Sequence, residues 1–331
     1  MVRLGSAGGI KPIAVGCTAT LLIACCNWCA MADSRAMIVD LLMGEPVPVE
    51  MMLDDLAAAR IVYLGEMHTI ARHHKLQADI LRQLADRNLS LALGMEMFSH
   101  LQQPVLDRWQ QGKEPVDHLI RDLGKERWTN LKDYEEVLLL ARELQVPILG
   151  LNAPDRLVRK VAREGLESLS GSEREQIPQD VDQINPLYDR LLRLRLRVHR
   201  AFEKKSLDRI VLAQALRDAV MARTIVGFLD SPQGKERVML VIAGSGHLNF
   251  GFGIPERVHK SLGLPHRIVL PSESGELVLS EAEKRQSVPI QITHEELMFI
   301  RVPLADYLHV ISLKKESGEE PSVSPHTAQV P

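Results

Sequence analysis

Ile61-Val62-Tyr63-Leu64-Gly65-Glu66-Met67-His68 is the stretch that decides the fold. Four apolar residues of β-strand type run into a glycine, and a glutamate and a histidine follow at once. Leu76, Ile80, Leu81 and Leu84 then recur at helical spacing, so the segment reads as strand, turn and helix. The pattern repeats along the chain. Leu91-Ala92-Leu93 leads into Gly94-Met95-Glu96-Met97-Phe98, with a helix from Gln103 to Gln110 stopped at Gly112. A helix around Tyr134 to Leu144 precedes the strand Val146 to Leu151, which ends at Asn152-Ala153-Pro154. Val238 to Ala243 leads into Gly244-Ser245-Gly246-His247, followed by a helix from Pro255 to Leu262 and a strand Arg267 to Leu270. Strands alternating with helices predict an α/β fold, a mainly parallel sheet with helices on both faces. Pro186 to Leu229 carries no strand signal and reads as two helices split near Ser206. This makes a helical insertion or subdomain, about residues 160–230, in a domain spanning 49–313.

The ends of the chain are of another kind. Arg3 and Lys11 precede an apolar run from Ile13 to Ala24, and no charge follows until Asp33, which is the pattern of a signal peptide over residues 1–24. A run of about a dozen residues is short of the roughly 20 that span a bilayer. Leu22-Ile23-Ala24-Cys25 resembles a lipobox, with Cys25 the acylated residue and residues 25–48 a tether. Cleavage after Ala32 is the rival and yields a soluble periplasmic form. Both readings export the protein, and Cys26 in place of an aspartate makes the outer membrane the default. All four cysteines lie in this leader, so the domain has neither disulfides nor thiolate ligands. The tail, residues 314–331, is polar and reads as disordered. A net charge of -3 and 4% aromatic residues exclude a nucleic-acid footprint.

In open parallel sheets, ligands bind beyond the carboxyl ends of the strands, where loops vary and helix N-termini present N–H donors. Glu66, His68, Glu96, Asn152 and His247 all follow predicted strands and are expected to converge there. Two imidazoles and two carboxylates suit a divalent metal such as Zn or Mn, or general acid–base work by Glu66 and Glu96. The structural alternative has the glutamates bonded to neighbouring loops and His247 satisfying a buried carbonyl. His73, His74 and Gln77 form a second polar group, with the alternative of a solvated helix face. Arg190, Arg193, Arg197, Arg200 and Lys204 make a cationic stripe at spacings of 3 and 4, suited to propionates or lipid headgroups, or simply solvated. Tyr188 and His199 lie on a different face, where Tyr188 has packing in the core as its alternative.

These residues together resemble the ChaN family, haem-binding uptake lipoproteins in a superfamily that also holds Tiki-type metalloproteases and erythromycin-esterase-like enzymes. The resemblance runs from about Arg60 to Leu270. It rests on Leu64 to His68, His73-His74 with Gln77, Gly94 to Phe98 with Gln103-Pro104, Leu151 to Pro154, Gln214 with Asp218 to Ala222, and Gly244 to His247 leading to Gly253 to Arg257. It implies iron protoporphyrin (haem) at the pocket of a homodimer, a tyrosine on the iron, basic side chains or histidine on the propionates, and an outer-membrane haem receptor as a partner. Tyrosinate is a hard donor that suits ferric haem. Of Tyr63, Tyr134, Tyr188 and Tyr307, the first choice of ligand is Tyr188 and the second Tyr134, with Arg190, Arg193, Arg197 and His199 around the propionates. The expected function is haem uptake or storage without catalysis. Its alternative is a metal-dependent hydrolase using Glu66, His68, Glu96 and His247.

Overall fold

The computed structural model describes residues 36–124, 128–196, 204–273 and 292–311. In chain order, β1 (Met37–Asp40) and β2 (Glu45–Val47) form a hairpin ahead of α1 (Val49–Ala58). Then come β3 (Ile61–Glu66), α2 (Ala71–Asp86), β4 (Leu91–Ser99), α3 (Gln103–Gln111), α4 (Val116–Leu123), α5 (Glu135–Glu143) and β5 (Ile148–Asn152). Helices α6 (Asp155–Glu164), α7 (Gly171–Arg174), α8 (Pro186–Leu196) and α9 (Lys204–Leu229) lead to β6 (Val238–Gly244), α10 (Ile254–Leu262), β7 (His266–Glu273) and β8 (Tyr307–Ile311).

The eight strands form one sheet in the order β2-β1-β8-β7-β3-β6-β4-β5. Every pairing from β8 to β5 is parallel, and the β1–β2 hairpin joins β8 antiparallel. The mainly parallel α/β sheet read from the sequence is therefore present. Alternation along the strands builds its two faces. Val62, Leu64, Leu93, Leu240 and Ile242 point into the core beneath α1, α2 and α5, whereas Ile61, Tyr63, Ala92 and Val241 point to α9 and α10. Helix α9 is apolar on two sides, because Met221, Ile225 and Leu229 pack on the sheet while Leu216 and Val220 pack on Leu157 and Val161 of α6. Such all-round apolarity marks a helix buried between layers. Among the described residues, no strand lies between Asn152 and Val238, and no helix is long and apolar enough to cross a membrane.

Three boundaries differ from the sequence reading. The expected tether is structured from Met37 to Val47, where the hairpin extends the sheet; Ile38 is buried against the core and pairs with His309. Strand β4 does not stop at Leu93 but runs on to Ser99, because Met95, Met97 and Phe98 are all buried. Tyr307, beyond the last predicted strand at Leu270, opens a further strand, β8. Ser206, where the helix split was predicted, lies inside α9, and Cys25, the cleavage sites, residues 197–203 and residues 314–331 lie outside the described residues.

The pairing of β4 with β5 shifts register between Met95 and Ser99, and a bulge of this kind re-aims the side chains within it. Gly150 makes that crossing possible: a Cβ there would meet the Ser99 carbonyl oxygen at 2.5 Å. Gly150→Ala is accordingly expected to lower stability by about 1–3 kcal/mol through overpacking. An unchanged midpoint in urea denaturation would contradict this.

Candidate functional site

Strand β3 ends at Glu66, and the turn after it is tied down by the Met67 N–H donating to Nδ1 of His73 at 3.0 Å. Helix α2 then returns Gln77 beside Glu66, where its Nε2 donates to Oε2 at 2.7 Å. The Tyr134 hydroxyl donates to Oε1 at 2.5 Å, and Nδ1 of His68 lies 2.5 Å from the same oxygen. His74 stacks on Tyr134 with ring centroids 4.0 Å apart. Glu66 is thus a buried carboxylate with three close partners.

Glu96 belongs to the bulged part of β4 rather than to a loop after it. Its Oε2 accepts from the Gly244 N–H at 2.7 Å, and its Oε1 lies 3.3 Å from Nε2 of His247 and 3.9 Å from Nε2 of His68. A Cβ on Gly244 would approach Nε2 of His68 to 2.9 Å, so a glycine is what lets strand, imidazole and carboxylate close on one point. Nδ1 of His247 bonds Oδ1 of Asp218 on α9, and the Tyr188 hydroxyl on α8 donates to Oδ2 of Asp218 at 2.8 Å. Polar contacts therefore run unbroken from Tyr134 through Glu66, His68, Glu96, His247 and Asp218 to Tyr188.

The charges in this chain are set by its neighbours. Burial by itself would lower the His247 pKa, but Glu96 and Asp218 outweigh it and lift the imidazole to about 10. His68 is raised in the same way, with burial opposed by Glu66 and Glu96. Glu96 stays ionised, because His247 and His68 pull its carboxyl far below the usual range despite burial. His247 is consequently held toward its imidazolium form between two carboxylates. His68 is about one third exposed at its side chain and is the imidazole of the chain that reaches solvent.

It reaches solvent in a cavity of about 480 Å³ at the carboxyl end of the sheet, lined also by Glu96, Met97, Trp128, Asn152, Arg159 and Arg217. Trp128 meets His68 edge to face at 4.9 Å, and the Asn130 amide donates to the His68 carbonyl. Arg217 lies 3.6 Å from Asp155 at the rim.

The structure brings together Glu66, His68, Glu96 and His247, as expected. They meet through hydrogen bonds and ion-pair contacts, the longest being the 3.9 Å between His68 and Glu96, and among the described residues no three His, Asp or Glu side chains are grouped to hold a metal ion. Tyr188 and Tyr134 reach the same cluster from its two ends. Both are buried and hydrogen-bonded to a carboxylate, Asp218 and Glu66 respectively, and burial with that carboxylate alongside raises each phenol above its ordinary pKa. Tyr63 and Tyr307 are buried as well. Two members of the arginine stripe have partners within the protein. Arg190 stacks over Phe299 at 4.2 Å, and Arg193 pairs with Asp189 at 2.8 Å and Asp208 at 2.6 Å. Arg197 and His199 lie outside the described residues. The sequence reading did not give Asp218 a role, although Gln214 and Asp218 share a helix face at i, i+4; Gln214 Nε2 lies 3.0 Å from Nδ1 of His247. Trp128, Arg159 and Arg217 carried no signal of their own, since they reach the cavity from loops and helices distant in sequence.

A family model described as haem-binding uptake, Tiki superfamily, ChaN matches residues 52–258. The chain belongs to this family. The matched span contains every member of the polar chain from Tyr134 to Tyr188 and four of the eight strands, β3, β4, β5 and β6. Among solved structures, the chain is similar to ChaN of Campylobacter jejuni, described with cofacial haem binding, at 22% identity and a TM-score of 0.60, over 85% of this chain and 98% of that one. That similarity concerns the fold. Among curated proteins, it is 28% identical to the chloroplastic protein RETICULATA-RELATED 5 of Arabidopsis thaliana over 73% of this chain. The match spans 34% of that protein's length.

Proposed function

We propose that this chain is an exported haem-binding protein, anchored through Cys25 in the outer membrane, that holds haem during uptake or storage at the cell envelope. Family membership supports the ligand, and the rim cavity carries its placement. The donor set there fits haem held by imidazole and not by tyrosinate. Glu66 occupies Nδ1 of His68, so Nε2 is the nitrogen that would ligate iron in exchange for its proton, and a carboxylate on the far ring nitrogen is the arrangement that orients a ligating histidine and raises its basicity. Trp128 and Met97 offer apolar surface, while Arg159 and Arg217 offer guanidinium groups for propionates. Bound haem supplies a redox-active iron; the chain's own part is to bind and orient it. A second copy covering the open side of the cavity and an outer-membrane receptor delivering haem complete the proposal.

Titration of ferric haem into the purified chain is expected to shift the Soret band, with affinity reduced at least about tenfold in His68→Ala and retained in Tyr188→Phe and Tyr134→Phe. Absence of a shift at micromolar haem would overturn the proposal. Loss of binding in a folded Tyr188→Phe would overturn the choice of His68.

A second reading, a hydrolase, is favoured by one specific observation, the continuous contacts joining Asp218, His247, Glu96, His68 and Glu66. His68, the imidazole of the chain that reaches the cavity, would move the proton, and Glu66 and Glu96 would hold its charge. Hydrolysis of a simple aryl ester that disappears in both His68→Ala and Glu66→Gln, with metal analysis of the same sample, separates this reading from haem binding.

A further inference from the structure

Apart from the rim, a cavity of about 300 Å³ lies between α9, α10 and the loop preceding α8. Arg223 of α9 and Arg257 and Lys260 of α10 line it, and Asp180 is the one acidic side chain on its wall. Its floor is apolar, since Ala219, Ala222 and Val226 follow one another on one face of α9. The volume is at the lower end of the range for small-molecule sites, about 300–1,000 Å³.

The cations are incompletely neutralised. Arg257 lies 3.5 Å from Oδ2 of Asp180 and 3.3 Å from the carbonyls of Asp180, Val181 and Gln183. All four contacts are longer than the 2.7–3.2 Å typical of such bonds. Lys260 is paired with Glu256 at 2.7 Å. Arg223 donates to the Gln176 carbonyl, and among the described residues no carboxylate lies within ion-pair distance of it. Three cations face two carboxylates, which leaves one positive charge over an apolar floor.

We propose that this cavity binds a small organic monoanion, a carboxylate whose oxygens face Arg223 and Arg257 and whose apolar body rests on Ala219, Ala222 and Val226. One uncompensated charge selects a singly charged group, and the floor selects a hydrophobic body over a bare ion. Helix α9 also carries Asp218, and α10 begins a few residues after His247, so a ligand here clamps the two elements that hold the buried imidazolium. The site is separate from the haem cavity and does not depend on the haem reading.

Benzoate serves as the probe, with benzyl alcohol as its neutral counterpart and inorganic phosphate as the bare anion. Calorimetric titration of the full chain is expected to show saturable binding of one benzoate. Binding should weaken at least about tenfold in Arg223→Gln, as expected for loss of a charge-assisted hydrogen bond, and less in Lys260→Gln. Both side chains are exposed at their ends, and an unchanged melting temperature without probe confirms that each variant folds. The proposal is overturned if benzoate does not bind, if Arg223→Gln binds it as well as the parent, if benzyl alcohol binds equally, or if phosphate displaces benzoate at equal concentration.

Discussion

Glu96→Ala is expected to destabilise the protein by about 3–5 kcal/mol, the range for removing one member of a buried ion pair and leaving its partner uncompensated. Glu96 is 2% exposed and His247 6%, so water has little access to either group. Truncation removes the closest acceptor of the Gly244 N–H and leaves the His247 imidazolium with Asp218 as its remaining carboxylate partner. Because a marginally stable domain has only about 5–15 kcal/mol in total, the variant should show a large shift of its urea midpoint. Glu96→Gln restores an acceptor for Gly244 but sets an amide against His247, so it should recover only part of the loss. A cost under about 1 kcal/mol for Glu96→Ala would mean that the His247 charge is not held by Glu96. Glu66→Ala tests the other half of the chain, where Tyr134, Gln77 and His68 share one acceptor.

The strand ends were legible in the sequence because each couples two local signals, an apolar run of period two and a glycine followed by a polar residue. The run Ile61 to Leu64 before Gly65-Glu66, and Val238 to Ala243 before Gly244, give both the parallel sheet and the place where Glu66 and His247 meet. The hairpin from Met37 to Val47 lacked these signals: its strands have four and three residues, and a strand that short is stabilised by pairing with β8, a contact across more than 260 residues. Asp218 was hidden for a different reason. One of the two acids of helix α9, it looks like part of a solvated face until the fold shows it fully buried against His247. Tyr188 and Tyr134 stand out in the sequence as two of only four tyrosines. Scarcity drew attention to them, but only the three-dimensional placement shows that each phenol donates to a carboxylate of the site. The spacing of the arginine stripe reports a shared helix face, not what that face packs against.

Stability is expected to fall as pH rises from about 6.5 towards 10. The sign follows from His247, whose pKa is raised from 6.5 to about 10 in the folded protein. A raised imidazole stabilises fully below its unfolded value of 6.5, and this contribution is lost as pH climbs through the folded one. The slope is at most about 1.4 kcal/mol per pH unit for one proton, so several kcal/mol are at stake across the window. His68, also raised, acts in the same direction. The depressed carboxyl of Glu96 expresses the same attraction seen from its partner, present above about pH 4.5 and lost at lower pH, so the pair is counted once. His74, His100, His266 and His309 are held neutral by burial and their pKa values lie below 6.5; they cost stability only as pH falls. The buried tyrosines, with raised pKa values, cost stability only above about pH 10, where the unfolded phenols ionise. Between pH 7 and 9.5 the imidazoles therefore dominate. His247→Gln should flatten the decline of urea midpoints over this interval while being less stable than the parent at pH 6. High salt should change the parent's profile little, because a buried pair is poorly screened. If His247→Gln keeps the parent's alkaline slope, the buried imidazolium is not the origin of the decline, and the charge assignment that holds His247 toward its imidazolium form falls with it.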